Sequence, residues 1–396
     1  MDLMDLTALT TRLRAAASRR PAVLLVPTPA GTSVRLAVER FCRTRGWPLA
    51  ESPAGADAMV VAGPVGASLA GAVEHTARQL PAPAVRLSLV DTAEVSDRLA
   101  TLPRRLATAR PGRAGHDWPD LPMAGTAPDR DGLELDALTV FLGPVLPHWP
   151  AGLRLGLRVQ GDVVQHAEVD VLGTEPVTGS YWRGSARRHA AGRLDALARL
   201  LAVAGWPAAH LAAQDLRDRL LAGEPGAALA SRFARLRRRV EHSRLLAAAL
   251  PERGDVPDRL RGWLRDVDAL LPDLDAAPPS AESATPPRTD GPSGQPARPG
   301  GAAELGKPGG PDRPGERDHP NGSEGADEPR TSAGPEGAAE LAGPTDRASP
   351  DRPRRELAEL PDLVTGTDLT TTRLIVAGLA PDLAALPTRE GAGRGP

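Results

Sequence analysis

The sequence is poor in cysteine and in aromatic residues, and both shortages exclude kinds of protein. It contains one cysteine, Cys42, among 396 residues. A disulfide framework, a zinc finger and a cysteine-ligated iron–sulfur cluster each need more than one cysteine, so none of them is expected. Only 3% of the residues are aromatic, whereas the 42 prolines and 41 glycines exceed average usage. This composition predicts a sizeable unstructured fraction and a folded part smaller than the length suggests.

The sequence also lacks an excess of either charge and lacks long apolar runs. Its 48 Lys and Arg residues balance 50 Asp and Glu residues, for a formal net charge of -2. This balance gives no indication of a nucleic-acid partner. No run approaches the roughly 18 apolar residues of a membrane span, and the first residues are acidic rather than typical of a signal peptide. We therefore expect a cytoplasmic protein without a transmembrane segment, which a complex could hold at the cytoplasmic face of the membrane.

Residues 1–97 alternate short apolar runs with stretches of helical periodicity. A helix is predicted over 4–19, and buried strands are predicted over 22–26, 58–63 and 85–90. This alternation is typical of an α/β domain with a parallel sheet. The loop over 63–68 precedes a helix and could offer backbone N–H groups to a phosphate. However, it has neither a GxGxxG pattern nor a P-loop lysine, so a simple strand-to-helix connection is favoured over nucleotide binding.

The rest of the chain predicts a second domain and two irregular segments. Residues 98–136 are rich in Pro, Gly, Arg and Asp and predict a linker. Alternating residues on either side of Gly161-Asp162 predict a β-hairpin, and helical periodicity follows it as far as residue 271. Residues 272–353 have almost no large apolar residue and predict a disordered insertion. An ordered pattern returns over 354–385, so 137–271 and 354–385 are predicted to form one domain of a hairpin followed by a helical bundle.

The stretch over 141–173, FLGPVLPHWPAGLRLGLRVQGDVVQHAEVDVLG, carries a family resemblance. It resembles the N-terminal hairpin region of the 49-kDa-type family of NADH-quinone oxidoreductase subunits, which is related to the large subunit of nickel–iron hydrogenases. Gly143, Pro144 and Pro147 match that family's turn, and the resemblance covers about residues 138–250. The family's quinone-binding histidine falls on Leu146, and its quinone-binding tyrosine falls among residues 191–193, which include no phenol. The resemblance therefore implies the scaffold of this hydrogenase-like family without the groups that hold a quinone.

A second stretch resembles a different subunit family of the same oxidoreductase. Residues 55–90, with Asp57, Ala62-Gly63 and Gln79-Leu80-Pro81, are similar to part of its 20-kDa-type family. This resemblance implies a flavodoxin-like scaffold for the N-terminal domain. The positions of that family's cluster-binding cysteines hold no cysteine here, so no cofactor is predicted.

Four residues are candidates for ligand binding. His148 and Trp149 lie in the proline-rich turn, and Tyr181, the only tyrosine, stands beside Trp182. His189 lies at the start of a helix that is similar to the helix after the hairpin in the hydrogenase-like family. These side chains could line a cleft for a quinone or a nucleotide. The favoured alternative for Tyr181 and Trp182 is an aromatic plug between the hairpin and the helices.

The densest basic run lies over 232–244 and includes Arg235, Arg238 and Arg239. No aromatic residues interleave on its basic face, which disfavours a nucleic-acid interface. A solvated helix face or a contact with an acidic protein partner is expected, and these three arginines are the predicted partner contacts.

No catalytic constellation is visible. The sequence has no HExxH, CxxC or GxSxG motif and no histidines paired at ligand spacing, so neither catalytic residues nor a metal site is predicted. No carboxylate is expected in an otherwise apolar run where burial would raise its pKa. The leading hypothesis is a non-catalytic accessory, assembly or scaffold protein that resembles subunits of NADH-quinone oxidoreductase. The alternatives are a redox enzyme subunit with residual quinone or nucleotide binding, and an unrelated interaction protein with a disordered arm.

Overall fold

The computed structural model describes residues 16, 18–109, 125–128, 134–173, 179–274 and 352–386. The helix predicted over 4–19 and the disordered insertion predicted over 272–353 fall almost entirely outside these residues. The described part combines a parallel sheet, an antiparallel sheet and helices, so the predicted mixture of α and β structure is confirmed.

Three short apolar runs form the predicted parallel sheet, in the order β1-β2-β3. The strands are β1 (Val23–Pro27), β2 (Ala58–Ala62) and β3 (Val85–Leu89). Successive side chains of a strand point to opposite faces, so Val60 packs into one apolar layer while Met59 and Val61 pack into the other. Every residue of β2 is buried because both faces of this central strand are covered.

Helices cover the two faces of the parallel sheet. One face packs against α1 (Thr32–Arg45), α3 (Val95–Ala100) and α4 (Leu102–Thr108), and the other packs against α2 (Ala67–Arg78). This arrangement buries the sheet as parallel sheets require.

The segment predicted as a linker over 98–136 contains regular structure in its described part. Helix α4 and the end of α3 place Leu99, Leu102 and Leu106 in the core of the parallel sheet. These leucines lie three and four residues apart and therefore share one helix face. The prolines and arginines around them hid this short apolar stripe, and Pro103 is compatible with the first turn of a helix.

The second sheet is antiparallel, with the strand order β4-β5-β6-β7. Its strands are β4 (Gly125–Pro128), β5 (Glu134–Leu142), β6 (Leu153–Gln160) and β7 (Val163–Val171). The predicted hairpin is β6–β7, and its turn uses Gly161 at a φ of 61°. Strands β4 and β5 add to the hairpin on the β6 side, so the sheet begins before the domain boundary expected at residue 137.

Two helices close the inner face of the antiparallel sheet. They are α10 (Arg352–Val364) and α11 (Leu369–Leu379). Their residues Val364, Ile375 and Val376 share a core with Leu155 and Leu157 of β6. The C-terminal segment thus packs back onto the hairpin, as its restored apolar pattern predicts.

The remaining helices form a bundle between residues 186 and 273. They are α5 (Ala186–Val203), α6 (Pro207–Leu221), α7 (Gly226–Glu241), α8 (Arg244–Ala249) and α9 (Val256–Asp273). The sequence suggests one helix from 228 to 250, but the chain breaks at Ser243. The Ser243 hydroxyl accepts a hydrogen bond from the backbone N–H of Leu246 at 3.2 Å and begins a new helix. Among the described residues, no helix is both long enough and apolar enough to cross a bilayer.

Candidate functional site

Trp149 has a structural role in the proline-rich turn. Its side chain is buried, and its Nε1 donates a hydrogen bond to the Leu153 carbonyl oxygen at 2.8 Å. Gly143, at a φ of 77°, lies against the indole, and a Cβ at this position would stand 2.4 Å from the Trp149 Nε1. Trp149 therefore closes the turn onto the start of β6, and its indole N–H is already used.

His148 adopts a left-handed backbone conformation, with a φ of 60°. Its ring meets the ring of His210 in α6 edge-on, with the ring centres 4.9 Å apart. His210 Nδ1 donates to the Ala198 carbonyl oxygen at 2.8 Å, because a carbonyl oxygen can only accept. Burial, together with the nearby His210, lowers the pKa of His148 to about 4. His148 is therefore neutral at physiological pH and packs the turn against α5 and α6.

Tyr181 and Trp182 form an aromatic plug on α5. Their rings meet at 84° with centres 5.0 Å apart, and the Arg188 guanidinium lies 5.2 Å from the centre of the Tyr181 ring. Trp182 also packs against Gly192, where an added Cβ would stand 3.1 Å from its ring. Burial raises the pKa of Tyr181, so the phenol stays protonated.

His189 lies apart from the other ligand candidates, on the exposed side of the first turn of α5. Partial burial of the ring and the charge of Arg193 lower the pKa of His189. Among the described residues, no ring contact joins His148, Tyr181 and His189 to one another.

The N-terminal end of α2 is used for packing. Ser68 Oγ, in the first turn of α2, accepts a hydrogen bond from the backbone N–H of Gly173 at 2.9 Å. The adjacent Leu69 side chain lies against Gly173 as well. The loop over 63–68 is therefore in contact with the end of β7, which supports its interpretation as a strand-to-helix connection.

The structure brings together a group of polar residues that the sequence did not single out. Helix α1 contributes residues spaced four apart on one face, α5 contributes an i, i+4 pair, and α6 contributes residues three and four apart. We call this group the charge cluster, and its members are Arg35, Glu39, Arg43, Asp195, Arg199, Gln214, Arg217 and Asp218. It joins the helix that follows β1 to the helical bundle.

Asp195 and Arg217 occupy the centre of the charge cluster, and each side chain is only 1% exposed. Asp195 receives both ends of the Arg35 guanidinium, with Nη1–Oδ1 and Nη2–Oδ2 distances of 3.1 and 2.9 Å. It also accepts from Arg217 at 2.6 Å and from Arg199 at 2.9 Å. Bidentate pairing of this kind is the geometry that arginine favours with a carboxylate.

Arg217 contacts three carboxylates. Its Nη1 lies 2.8 Å from Glu39 Oε2 as well as 2.6 Å from Asp195 Oδ1, and its Nε lies 2.9 Å from Asp218 Oδ1. Asp218 also accepts from Arg43 Nη2 at 2.5 Å. Four guanidinium groups thus face three carboxylates. The Nη2 of Arg217 has no hydrogen-bond partner within the described chain.

The mutual pairing overcomes the electrostatic cost of burying these groups. Burial alone would raise the pKa of Asp195, but the charges of Arg35, Arg199 and Arg217 lower it below its usual range. The pKa of Glu39 is lowered in the same way, chiefly by Arg35 and Arg217 against the effect of burial. Burial would lower the pKa of Arg217, but its three carboxylates raise it. Asp195, Glu39 and Arg217 are therefore ionised at neutral pH.

One carboxylate does lie in an otherwise apolar run, although its pKa is not raised there. Asp195 stands between Leu194 and Ala196, in the stripe that forms the core of the bundle. Its pKa moves down rather than up because arginines surround it. The acidic residue within the apolar run Leu194–Leu197 could have indicated a buried charge. Its partners Arg35 and Arg217 could not be identified from the sequence, because they are distant along the chain.

The charge cluster is suited to holding structure together rather than to catalysis. A carboxylate with a strongly lowered pKa is a poor general base, and an arginine cannot supply a proton at neutral pH. Burial raises the pKa of the Cys42 thiol to about 12, so it is not a nucleophile. Within the described residues, no three His, Cys, Asp or Glu side chains are grouped so that they could hold a metal ion.

The predicted partner contacts lie on the surface of α7. Arg235, Arg238 and Arg239 are exposed, whereas the same helix turns Phe233 and Leu236 into the core. Arg235, Arg238 and Arg239 make no ion pair with any described residue.

Comparison of the chain with protein-family models, curated proteins and solved structures finds no match.

Proposed function

We propose that this protein is a non-catalytic accessory, assembly or scaffold protein of an oxidoreductase complex of the NADH-quinone oxidoreductase type. One observation carries the proposal: the two stretches that resemble neighbouring subunits of that machine are packed together in a single chain. The two stretches meet where the Ser68 hydroxyl accepts a hydrogen bond from the backbone N–H of Gly173 at 2.9 Å, and the charge cluster joins helix α1 of the α/β part to the helical bundle. In this proposal the α/β part is a flavodoxin-like scaffold that has no cluster-binding cysteines.

The positions that would hold a quinone provide further support. Leu146, at the place of the histidine, packs against the core of the antiparallel sheet. At the place of the tyrosine, Ala191 is fully buried, Gly192 lies against Trp182, and Arg193 pairs with Asp266 at 3.0 Å. These side chains pack or form ion pairs, and none of them is a histidine or a phenol. The absence of both quinone-holding groups from these positions therefore supports a scaffold rather than a redox subunit.

The test is recovery of partners from the native cells. The tagged full-length protein would be captured from detergent-solubilised membranes, and co-purifying proteins would be identified by mass spectrometry against an unrelated tagged bait. We expect subunits of an NADH-quinone oxidoreductase, and we expect cells without this protein to contain less of the assembled complex on native gels. Capture of the protein alone, with normal assembly in its absence, would refute the proposal.

The same preparation tests the alternative of a redox subunit with residual ligand binding. Organic extraction followed by mass spectrometry would reveal a quinone, and absorbance would reveal a flavin. A stoichiometric amount of either would replace the scaffold proposal with the redox alternative, with His148 and Tyr181 as the first positions to mutate.

A further inference from the structure

The surface formed by α7 and α8 combines positive charge with exposed apolar side chains. We call it the α7–α8 surface, and its members are Arg235, Arg238, Arg239, Arg244, Leu245, Ala248 and Ala249. Leu245 is 86% exposed, more than any other large hydrophobic residue in the described part of the chain. Leu245 follows the exposed Arg244 directly in sequence, and its exposure forgoes the gain that burial would give.

The arginines of this surface differ from their neighbours on α7 in having no counter-ion. Arg237 pairs with Asp268 and Glu241, and Arg232 lies 3.9 Å from Asp215. Arg235, Arg238, Arg239 and Arg244 have no such pair among the residues that the structure describes. The spacing of 235, 238 and 239 places these three on one face of the helix. The α7–α8 surface is therefore electrostatically unbalanced and attracts anions.

Helix α8 supplies the apolar part of the surface. Leu246 is buried and Leu250 follows it into the core, so the helix is anchored on one side. Its opposite side exposes Leu245, Ala248 and Ala249, which have no polar side-chain atoms.

We propose that the α7–α8 surface docks on a lipid bilayer that contains anionic phospholipids. A bilayer offers anionic headgroups above hydrocarbon, and this layering matches arginines that surround protruding apolar side chains. Anionic headgroups would neutralise the arginines that lack a counter-ion, and the hydrocarbon beneath the headgroups would accommodate Leu245. The absence of a spanning helix among the described residues is compatible with a protein that lies on the membrane.

Vesicle binding by the purified full-length protein tests this inference. Co-sedimentation would compare vesicles of phosphatidylcholine alone with vesicles that also contain phosphatidylglycerol. We expect binding only to the anionic vesicles, with an affinity that falls as salt is raised. Replacing all three α7 arginines by glutamine (R235Q/R238Q/R239Q) should weaken binding roughly 100-fold, on the basis of about 5-fold for each basic side chain at an anionic surface.

Three further variants test whether binding depends on the position of the arginines, on their positive charge and on the Leu245 side chain. The control R78Q/R104Q/R105Q removes three exposed arginines from α2 and α4 and should bind as the wild type does. The lysine variant R235K/R238K/R239K should also bind, because attraction to an anionic bilayer surface depends on the number of positive charges. Leu245→Ser should weaken binding several-fold at every salt concentration.

The vesicle results decide whether the inference stands. Failure of the wild type to bind anionic vesicles would overturn it. Equal binding by the glutamine variant would overturn it as well. This inference goes beyond the proposed function and does not rest on it: vesicle binding needs no oxidoreductase subunit, and capture from detergent extracts needs no bilayer, so either can fail alone.

Discussion

At the scale of single residues, Arg217 connects as much of the charge cluster as Asp195 does, with three ionic partners each. It is 1% exposed and contacts Glu39, Asp195 and Asp218 from one guanidinium group. Such a residue contributes less to net stability than its contacts suggest, because burying the ions is itself costly. Its removal nevertheless destabilises the fold, since the buried carboxylates lose a partner without gaining water.

We expect Arg217→Met to lower the free energy of unfolding by about 3–5 kcal/mol, the range for breaking a buried ion pair from one side. The measurement is urea unfolding followed by circular dichroism at neutral pH. Arg219→Met is the matched control, because Arg219 lies on the same helix but pairs with Asp215 and Glu224 at the surface. The control should change stability far less. Similar losses in the two variants would show that the charge cluster does not stabilise the fold.

His148 makes a second residue-scale contribution, which depends on pH. Its pKa is about 4 in the folded protein and about 6.5 in an unfolded chain. Between these values the unfolded state binds a proton that the folded state does not bind, so stability is fully present above pH 6.5 and falls as the pH drops towards 4. The pKa values of Asp195 and Glu39 are lowered, so their contribution is lost only below about pH 4.

We therefore expect the wild type to be about 2 kcal/mol less stable at pH 5 than at pH 7.5 through His148 alone. His148→Asn should remove this part of the pH dependence, because asparagine does not titrate and tolerates a positive φ. His166→Asn, on the exposed side of β7, is the control and should keep the wild-type dependence. An unchanged pH profile in His148→Asn would disprove the assignment.

At the scale of elements, the first turn of α7 touches the last turn of α9. A Cβ on Gly226 would stand 1.9 Å from the carbonyl oxygen of Leu271, which is backbone and cannot rotate away. The close approach of the two helices thus depends on the absence of a side chain at this position.

Gly226→Ala should destabilise the protein by about 1–3 kcal/mol, as overpacking does. Gly71→Ala should have the opposite sign, because Gly71 lies inside α2 with nothing within 4 Å of an added Cβ. There the gain in helix propensity is about 1 kcal/mol. Thermal unfolding of both variants is the measurement. A stabilised Gly226→Ala would mean that α7 and α9 are not in close contact.

At the scale of the whole molecule, α10 and α11 return the chain to the antiparallel sheet after the segment over 275–351. Leu360, Val364, Ile375 and Val376 lie in the same core as the inner face of β6. Residues 352–386 are therefore part of the fold rather than an appendage.

Two deletions test this organisation. Removing 285–345 should change the free energy of unfolding by no more than about 0.5 kcal/mol, because that stretch has too few apolar residues to contribute to a core. Ending the chain at residue 274 should instead expose the core of the antiparallel sheet and give aggregated protein on gel filtration. Aggregation of the internal deletion as well would contradict the prediction that this segment is an insertion.

Much of the local structure follows from the sequence alone. Continuous apolar runs predict the parallel strands, strict alternation around Gly161 predicts the hairpin, and the leucines of 194–201 predict the core face of α5. These features depend on the spacing of neighbouring residues, which one sequence displays directly. The sequence did not predict the short helices α3 and α4, because their apolar stripe is brief and lies among prolines and arginines.

The charge cluster is decided by tertiary structure. Arg35 and Asp195 are 160 residues apart in sequence, and Arg43 and Asp218 are 175 apart. Each of these residues alone is compatible with a solvated helix face, and only the packing of α1 against α5 and α6 turns them into a buried network. Likewise, the sequence indicated that His148, Trp149 and Tyr181 are unusual, but their contacts depend on packing. Trp149 donates a hydrogen bond to the Leu153 carbonyl oxygen, the His148 ring meets His210, and the Tyr181 ring lies under Arg188 of α5. Periodicity is a local property, whereas the pairing of buried charges depends on which helices meet.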